Sequence, residues 1–171
     1  MDYKALIREV PNFPKPGVLF YDITTLLMDA RAFRNVVDEL ASRYRGQHIV
    51  KVVGIESRGF ILGSPLAYHL EAGFVPVRKA GKLPADIFEV KYNLEYGSSS
   101  LAIHRDAITI GERVLIVDDL LATGGTAAAT VHLVRQLGGE IMGLVVLVEL
   151  ESLKGRDKLN GCEVHSVITY S

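Results

Sequence analysis

The stretch VLIVDDLLATGGT, residues 114–126, decides the fold. Four apolar residues lead to Asp118 and Asp119, and a small-residue loop, Ala122-Thr123-Gly124-Gly125-Thr126, opens a helical pattern over 125–137. An apolar run without polar alternation is the mark of a strand buried on both faces, and such strands belong to parallel sheets covered by helices. Open sheets of this kind bind ligands at the carboxyl ends of their strands, where the acids and glycines stand. Glycines let backbone N–H groups approach an oxyanion, threonine hydroxyls add donors, and a helix N-terminus adds about half a positive charge, so the loop reads as a phosphate cradle. Two carboxylates beside a phosphate would repel it, unless they accept hydrogen bonds from the hydroxyls of a polyol. A sugar phosphate satisfies both halves. Side chains alternate along a strand, so at least one of the two acids is expected in the turn. A glycine-rich helix start beside a solvated acid pair is the plain alternative. A Walker A loop is absent, because Thr126-Ala127 follows Gly125, and so is a G-x-G-x-x-G fingerprint.

The same strand-then-helix rhythm extends outward. IVKVVGI (49–55) is a second buried strand, followed by helical spacing over 59–72; FVPVRK (74–79), IMGLVVLVEL (141–150) and VHSVITYS (164–171) read as further strands. Upstream, Phe33, Val36, Val37, Leu40, Ala41 and Tyr44 share one helix face, with Asp29 as cap and Gly46 as stop. Residues 2–10 are expected to form a short helix, and PNFPKPG (11–17) to be irregular. The fold class is α/β: a mostly parallel central sheet flanked by helices. Residues 80–106 break the rhythm with strand-prone stretches around turns, and a connection of that length suggests a hairpin lid outside the sheet.

Composition bounds the rest. The 171 residues, 49% hydrophobic and 23% charged, suit one globular domain spanning 1–171. A formal net charge of −1 supplies no basic field for nucleic acid. The single cysteine, Cys162, excludes an internal disulfide and points to a reducing, cytoplasmic compartment. No apolar run reaches the length of a membrane span, so no membrane partner is expected. The five histidines lack ligand spacing and receive no role.

Taken with FPKPGVLFYDIT, IESRGFILG, VRKAGKLP, LEYG and VELESLKGRDKL in that order, the central motif resembles the type I phosphoribosyltransferases, and among them the branch that handles adenine, along nearly the whole chain. The resemblance implies transfer of the phosphoribosyl group of phosphoribosyl pyrophosphate (PRPP) to adenine, giving AMP and pyrophosphate in purine salvage, with Mg²⁺ held mainly through substrate and water rather than by a protein metal site. It places Asp118 and Asp119 on the ribose hydroxyls and Ala122, Thr123, Gly124, Gly125 and Thr126 around the 5′-phosphate. Ser57, Arg58, Arg78, Lys79 and Lys82 are implied for pyrophosphate, and similar enzymes often carry a non-proline cis peptide in the loop that corresponds to Glu56-Ser57-Arg58-Gly59. Leu19, Phe20, Tyr21 and Leu120 are implied for the base, with Tyr21 standing where many relatives carry arginine and Glu56 where many carry aspartate. Glu95 is implied as general acid/base, with Tyr96 over the reacting centre. Residues 1–35 would stand outside the βα core as a hood over the base, residues 80–106 would close as a lid, and the enzyme would be a homodimer in which Arg78 serves its own or the partner's site. The alternatives are another purine specificity (hypoxanthine, guanine or xanthine) and a non-catalytic PRPP sensor.

Overall fold

Val52 and Val53 are adjacent in the chain, point to opposite faces of one sheet, and are both 0% exposed. Only a strand covered on both sides satisfies that condition. The computed structural model that shows it describes residues 1–93 and 97–171. In chain order the elements are β1 (Arg8–Pro11), β2 (Leu19–Asp22), α1 (Thr24–Met28), α2 (Ala30–Tyr44), β3 (Lys51–Ile55), α3 (Arg58–His69), β4 (Gly73–Lys79), β5 (Ile87–Asn93), β6 (Ser98–His104), β7 (Arg113–Leu121), α4 (Gly125–Gln136), β8 (Glu140–Leu150) and β9 (Val164–Tyr170).

Among the described residues seven strands form the main sheet in the order β5-β6-β4-β3-β7-β8-β9. The pairs β4–β3, β3–β7, β7–β8 and β8–β9 are parallel, and the β5–β6 hairpin adds an antiparallel edge. On one face Val36 and Leu40 of α2 and Leu62 and Leu66 of α3 pack against Val52, Leu115 and Val117. On the other, Val131, Leu133 and Val134 of α4 pack with Val53, Ile116, Leu101 and Ile103. Each such aliphatic side chain contributes about 1.5–3 kcal/mol relative to exposure. The α2 start is fixed as expected, with the Asp29 carboxylate accepting from the amides of Arg31 (3.0 Å) and Ala32 (2.8 Å). No helix among the described residues is long and apolar enough to cross a membrane.

Three expectations are corrected. Residues 2–10 do not form a helix: a 3-10 turn over Lys4–Leu6 leads into β1, which pairs antiparallel with β2. Val10 precedes Pro11, which disfavours the α conformation there, and the β2 partner supplies the hydrogen bonds a helix would have made. The 1–35 segment is not outside the core, since Ile7, Ile23, Leu26 and Ala32 are buried within its first face. Nor is 80–106 wholly an excursion: β6 continues the sheet beside β4, through Arg78–Ala102 and Lys79–Leu101, and buries Leu101 and Ile103.

Candidate active site

A cleft of about 250 Å³ opens where β7 ends, walled by Glu56, Ser57 and Arg58 on one side and by residues 118–127 on the other. Both acids lie inside β7, not in the turn. The strand outlasts one of its neighbours: pairing with β3 stops at Gly54–Val117, while pairing with β8 runs on to Leu121–Glu149. Extended backbone therefore carries the acid pair past its last pairing with β3, still held by β8, into the cleft.

The first turn of α3 presses on this strand end. A Cβ at Gly59 would come 2.8 Å from the Val117 carbonyl oxygen and 3.1 Å from Asp118 Oδ1, so the residue after Arg58 must be glycine. Asp118 Oδ1 accepts from the Asp119 amide at 2.9 Å. Burial, and then the neighbouring Asp119 charge, hold the Asp118 carboxyl well above the usual carboxylate range. Arg58 Nε lies 2.8 Å from Asp119 Oδ2, forming an ion pair, yet no N–H is aligned on that buried oxygen among the described residues. The contact with Arg58 is therefore mainly one of charge, and the oxygen keeps capacity to accept a further donor.

The loop after β7 is held from two sides. Gly124 adopts φ +80°, and Gly125, the first residue of α4, rests against Tyr92 and the Asn93 carbonyl of β5, where a Cβ would sit 3.4 Å from each. Thr126 Oγ1 donates to Tyr92 Oη at 3.2 Å, so the hairpin reaches the cradle directly. The lateral contact was not legible in sequence.

Arg78, Lys79 and Lys82 do not line the cleft, but Glu56 brings them to its edge. Its carboxylate accepts from Lys82 Nζ at 2.6 Å and from the Lys79 amide at 2.9 Å, and Arg78 Nε lies 3.4 Å away. Burial works against the Glu56 charge, but Lys82, the Lys79 amide and Arg78 outweigh it and hold the carboxyl at about 2. Arg78 also donates to the Lys82 carbonyl at 3.2 Å, which closes the cluster. Glu56 received no role from sequence, because its partners are 22 to 26 positions away and only the β3–β4 pairing brings them near. The Glu56–Ser57 peptide is cis, as the resemblance implied.

Phe20 meets the cleft through Arg58, whose guanidinium carbon lies 5.6 Å from its ring centroid, and Phe13 packs edge-on against Phe20 at 5.1 Å. Leu120 lines the cleft itself. Leu19 is exposed on the same strand, whereas the Tyr21 ring is turned onto Tyr170, 4.0 Å between centroids. Glu95 and Tyr96 lie outside the described residues.

The phosphoribosyl transferase domain family matches residues 24–168. Over 168 residues the chain is 61% identical to the adenine phosphoribosyltransferase of Acidobacterium capsulatum, covering 98% of this chain and 93% of that protein. The chain belongs to the adenine phosphoribosyltransferase family. Solved structures of that family superpose on it closely. The enzyme from Thermoanaerobacter pseudethanolicus is 50% identical with a TM-score of 0.95, covering 99% of this chain and 98% of that one. The enzyme from Saccharomyces cerevisiae, complexed with an imino-altritol bisphosphate and adenine, is 42% identical with a TM-score of 0.92, covering 97% and 96%. Membership in this family accounts for the mostly parallel sheet and makes the chain a phosphoribosyltransferase.

Proposed function

We infer that the protein transfers the phosphoribosyl group of PRPP to N9 of adenine, releasing pyrophosphate and forming AMP, a step of purine salvage. The observation that carries this reading is the pairing, at one strand end, of two buried adjacent carboxylates, Asp118 and Asp119, with a glycine-rich helix start. The ribose hydroxyls donate to Asp118 and Asp119, and the 5′-phosphate rests on the amides and hydroxyls of residues 122–126. Ser57, Arg58, Lys79, Lys82 and Arg78 hold the departing pyrophosphate, where fixed cations stabilise charge that develops as the bond between C1′ and the leaving oxygen breaks. The C1′–N9 bond forms on the opposite side, and the N9 proton passes to Glu95, with Tyr96 over the reacting centre. Phe20 and Leu120 sandwich the purine, and the main chain of Leu19 and Tyr21 reads its edge.

Mg²⁺ would be held mainly through substrate oxygens and water, its usual habit, with Asp119 Oδ2 suited to accept from a coordinated water or a ribose hydroxyl. When bound, Mg²⁺ neutralises part of the pyrophosphate charge. A lid drawn from 80–106 excludes water that would compete for C1′. Residues 1–35 supply the hood that carries the base pocket. The enzyme acts in the cytoplasm as a homodimer; exposed Ile61 (43%) and Tyr68 (83%) on α3 are apolar surface such an interface would cover.

Initial rates with adenine, hypoxanthine and guanine, each with PRPP and Mg²⁺, test the reading. AMP formation from adenine alone is expected. Comparable turnover of hypoxanthine contradicts the specificity, and no turnover of any base contradicts the enzyme.

A further inference from the structure

The motif VELESLKGRDKL, residues 148–159, has no part in the chemistry above, yet it touches the phosphate loop from behind. After β8 the chain makes 3-10 turns over Glu151–Leu153 and Gly155–Lys158, joined by Lys154 at φ 52°. Gly155 is thereby driven against the loop. A Cβ on Gly124 would strike the Gly155 carbonyl oxygen, and a Cβ on Gly155 would strike the Ala122 carbonyl oxygen. Two backbones meet with no room for a side chain on either, so the position of Gly155 limits the conformations open to residues 122–124.

Arg156 holds Gly155 there. Its Nε and one terminal nitrogen donate to the two oxygens of Glu149, each at 2.6 Å, and the other terminal nitrogen donates to the Val164 carbonyl at 2.8 Å. Ser166 Oγ donates to Glu149 at 2.6 Å and accepts from Arg156 at 3.1 Å. Glu149 is 3% exposed at the end of β8, and Val164 and Ser166 belong to β9. The guanidinium fork thus ties the turn to two strands of the sheet through four bonds in fixed planar geometry, which an ammonium on a flexible stem cannot reproduce.

We propose that Arg156, clamped by Glu149 and Ser166, is a positioning residue that sets the phosphate loop through the Gly155–Gly124 contact. This rests on the reading of residues 122–126 as the 5′-phosphate site. The clamp touches no substrate; it acts by keeping loop donors where the phosphate arrives, so its loss is felt in PRPP binding and not in adenine binding.

The test is steady-state kinetics with each substrate varied in turn, together with Tm, on Arg156→Gln, Arg156→Lys, Ser166→Ala, Gly155→Ala and Thr123→Ala, with Arg43→Gln as comparator. Arg43 makes a surface ion pair with Glu163 at 2.8 Å that includes none of the clamp's side chains. Arg156→Gln is expected to raise KM for PRPP about tenfold or more while KM for adenine stays within about twofold, with no rescue by Arg156→Lys. Gly155→Ala leaves the clamp in place, pushes on the Ala122 carbonyl directly, and is expected to do the same, which tests the contact; Ser166→Ala, which takes a bond from both Arg156 and Glu149, is expected to raise the PRPP KM alone and decides the clamp if Arg156→Gln does not fold. Arg43→Gln is expected to move neither KM. An unchanged PRPP KM in folded Arg156→Gln, or both KM values rising together in step with Tm, overturns the proposal. A raised PRPP KM in Thr123→Ala with none in Arg156→Gln overturns the clamp alone, whereas no change in either variant overturns the phosphate-site reading with it.

Discussion

The two ends of the cleft use carboxylates in opposite ways. At one end Glu56 is surrounded by Lys82, the Lys79 amide and Arg78, and its carboxyl is held at about 2. At the other, Asp118 is buried beside Asp119 and its carboxyl is pushed upward. Glu56 is a satisfied anion whose function is to gather cations. The acid pair holds two adjacent buried carboxylates, one Asp119 oxygen facing no aligned donor, and on the proposed reading the ribose hydroxyls donate there. The difference teaches how one cleft can bind a substrate that is anionic at both extremities and hydroxylated in the middle: cations are gathered on an acid at one end, and a surplus of acid is left where only hydroxyls will sit.

The sharpest way to break this contrast is at the acid pair. Asp119→Asn removes a charged acceptor from two ribose hydroxyls, and at about 1.5–3 kcal/mol per charged hydrogen bond kcat/KM for PRPP should fall about 10²–10⁴-fold. An unchanged kcat/KM would mean the acids do not touch the sugar. At the other end, Glu56→Gln keeps the size of the side chain but frees Arg78 and Lys82, and kcat/KM should fall about 10–10²-fold, chiefly through PRPP. Phe20→Ala, acting on the base, should raise KM for adenine about tenfold and leave the PRPP KM near its original value.

Stability should divide the two ends as cleanly as kinetics. The folded Glu56 carboxyl lies at about 2, below its ordinary 4.5, so the charged form favours the fold above pH 4.5 and that contribution disappears as pH falls toward 2. Wild type should therefore lose more stability than Glu56→Gln across that window, measured by urea unfolding. Asp118 has the opposite sign: its carboxyl is raised, so ionising it on the way to neutral pH costs stability. Asp118→Asn should raise Tm at pH 7 by about 2–4 °C while lowering activity, the trade expected where a site stores unfavourable charge for its ligand.

Much of this was readable in the chain because the signals are local. The apolar runs at 114–117 and 141–150 needed no partner to announce strands buried on both faces, and Asp29 ahead of the 33–44 stripe marked its helix start. The spacing of Tyr3, Leu6, Ile7 and Val10 fits a helix as well as a turn and strand, and the deciding partner, β2, lies beyond a proline-rich turn. The same non-locality hid Glu56, the Tyr92–Thr126 contact and the meeting of Gly124 with Gly155, since each joins residues brought together only by the sheet. Alternation misplaced the acids for a related reason: how far β7 runs depends on β8, not on its own residues.

The most direct measurement is a crystal structure of the protein with AMP. The 5′-phosphate is expected on the amides of residues 122–126, with the ribose hydroxyls hydrogen-bonded to Asp118 and Asp119. A nucleotide seated elsewhere, with both carboxylates touching only water, would contradict the account.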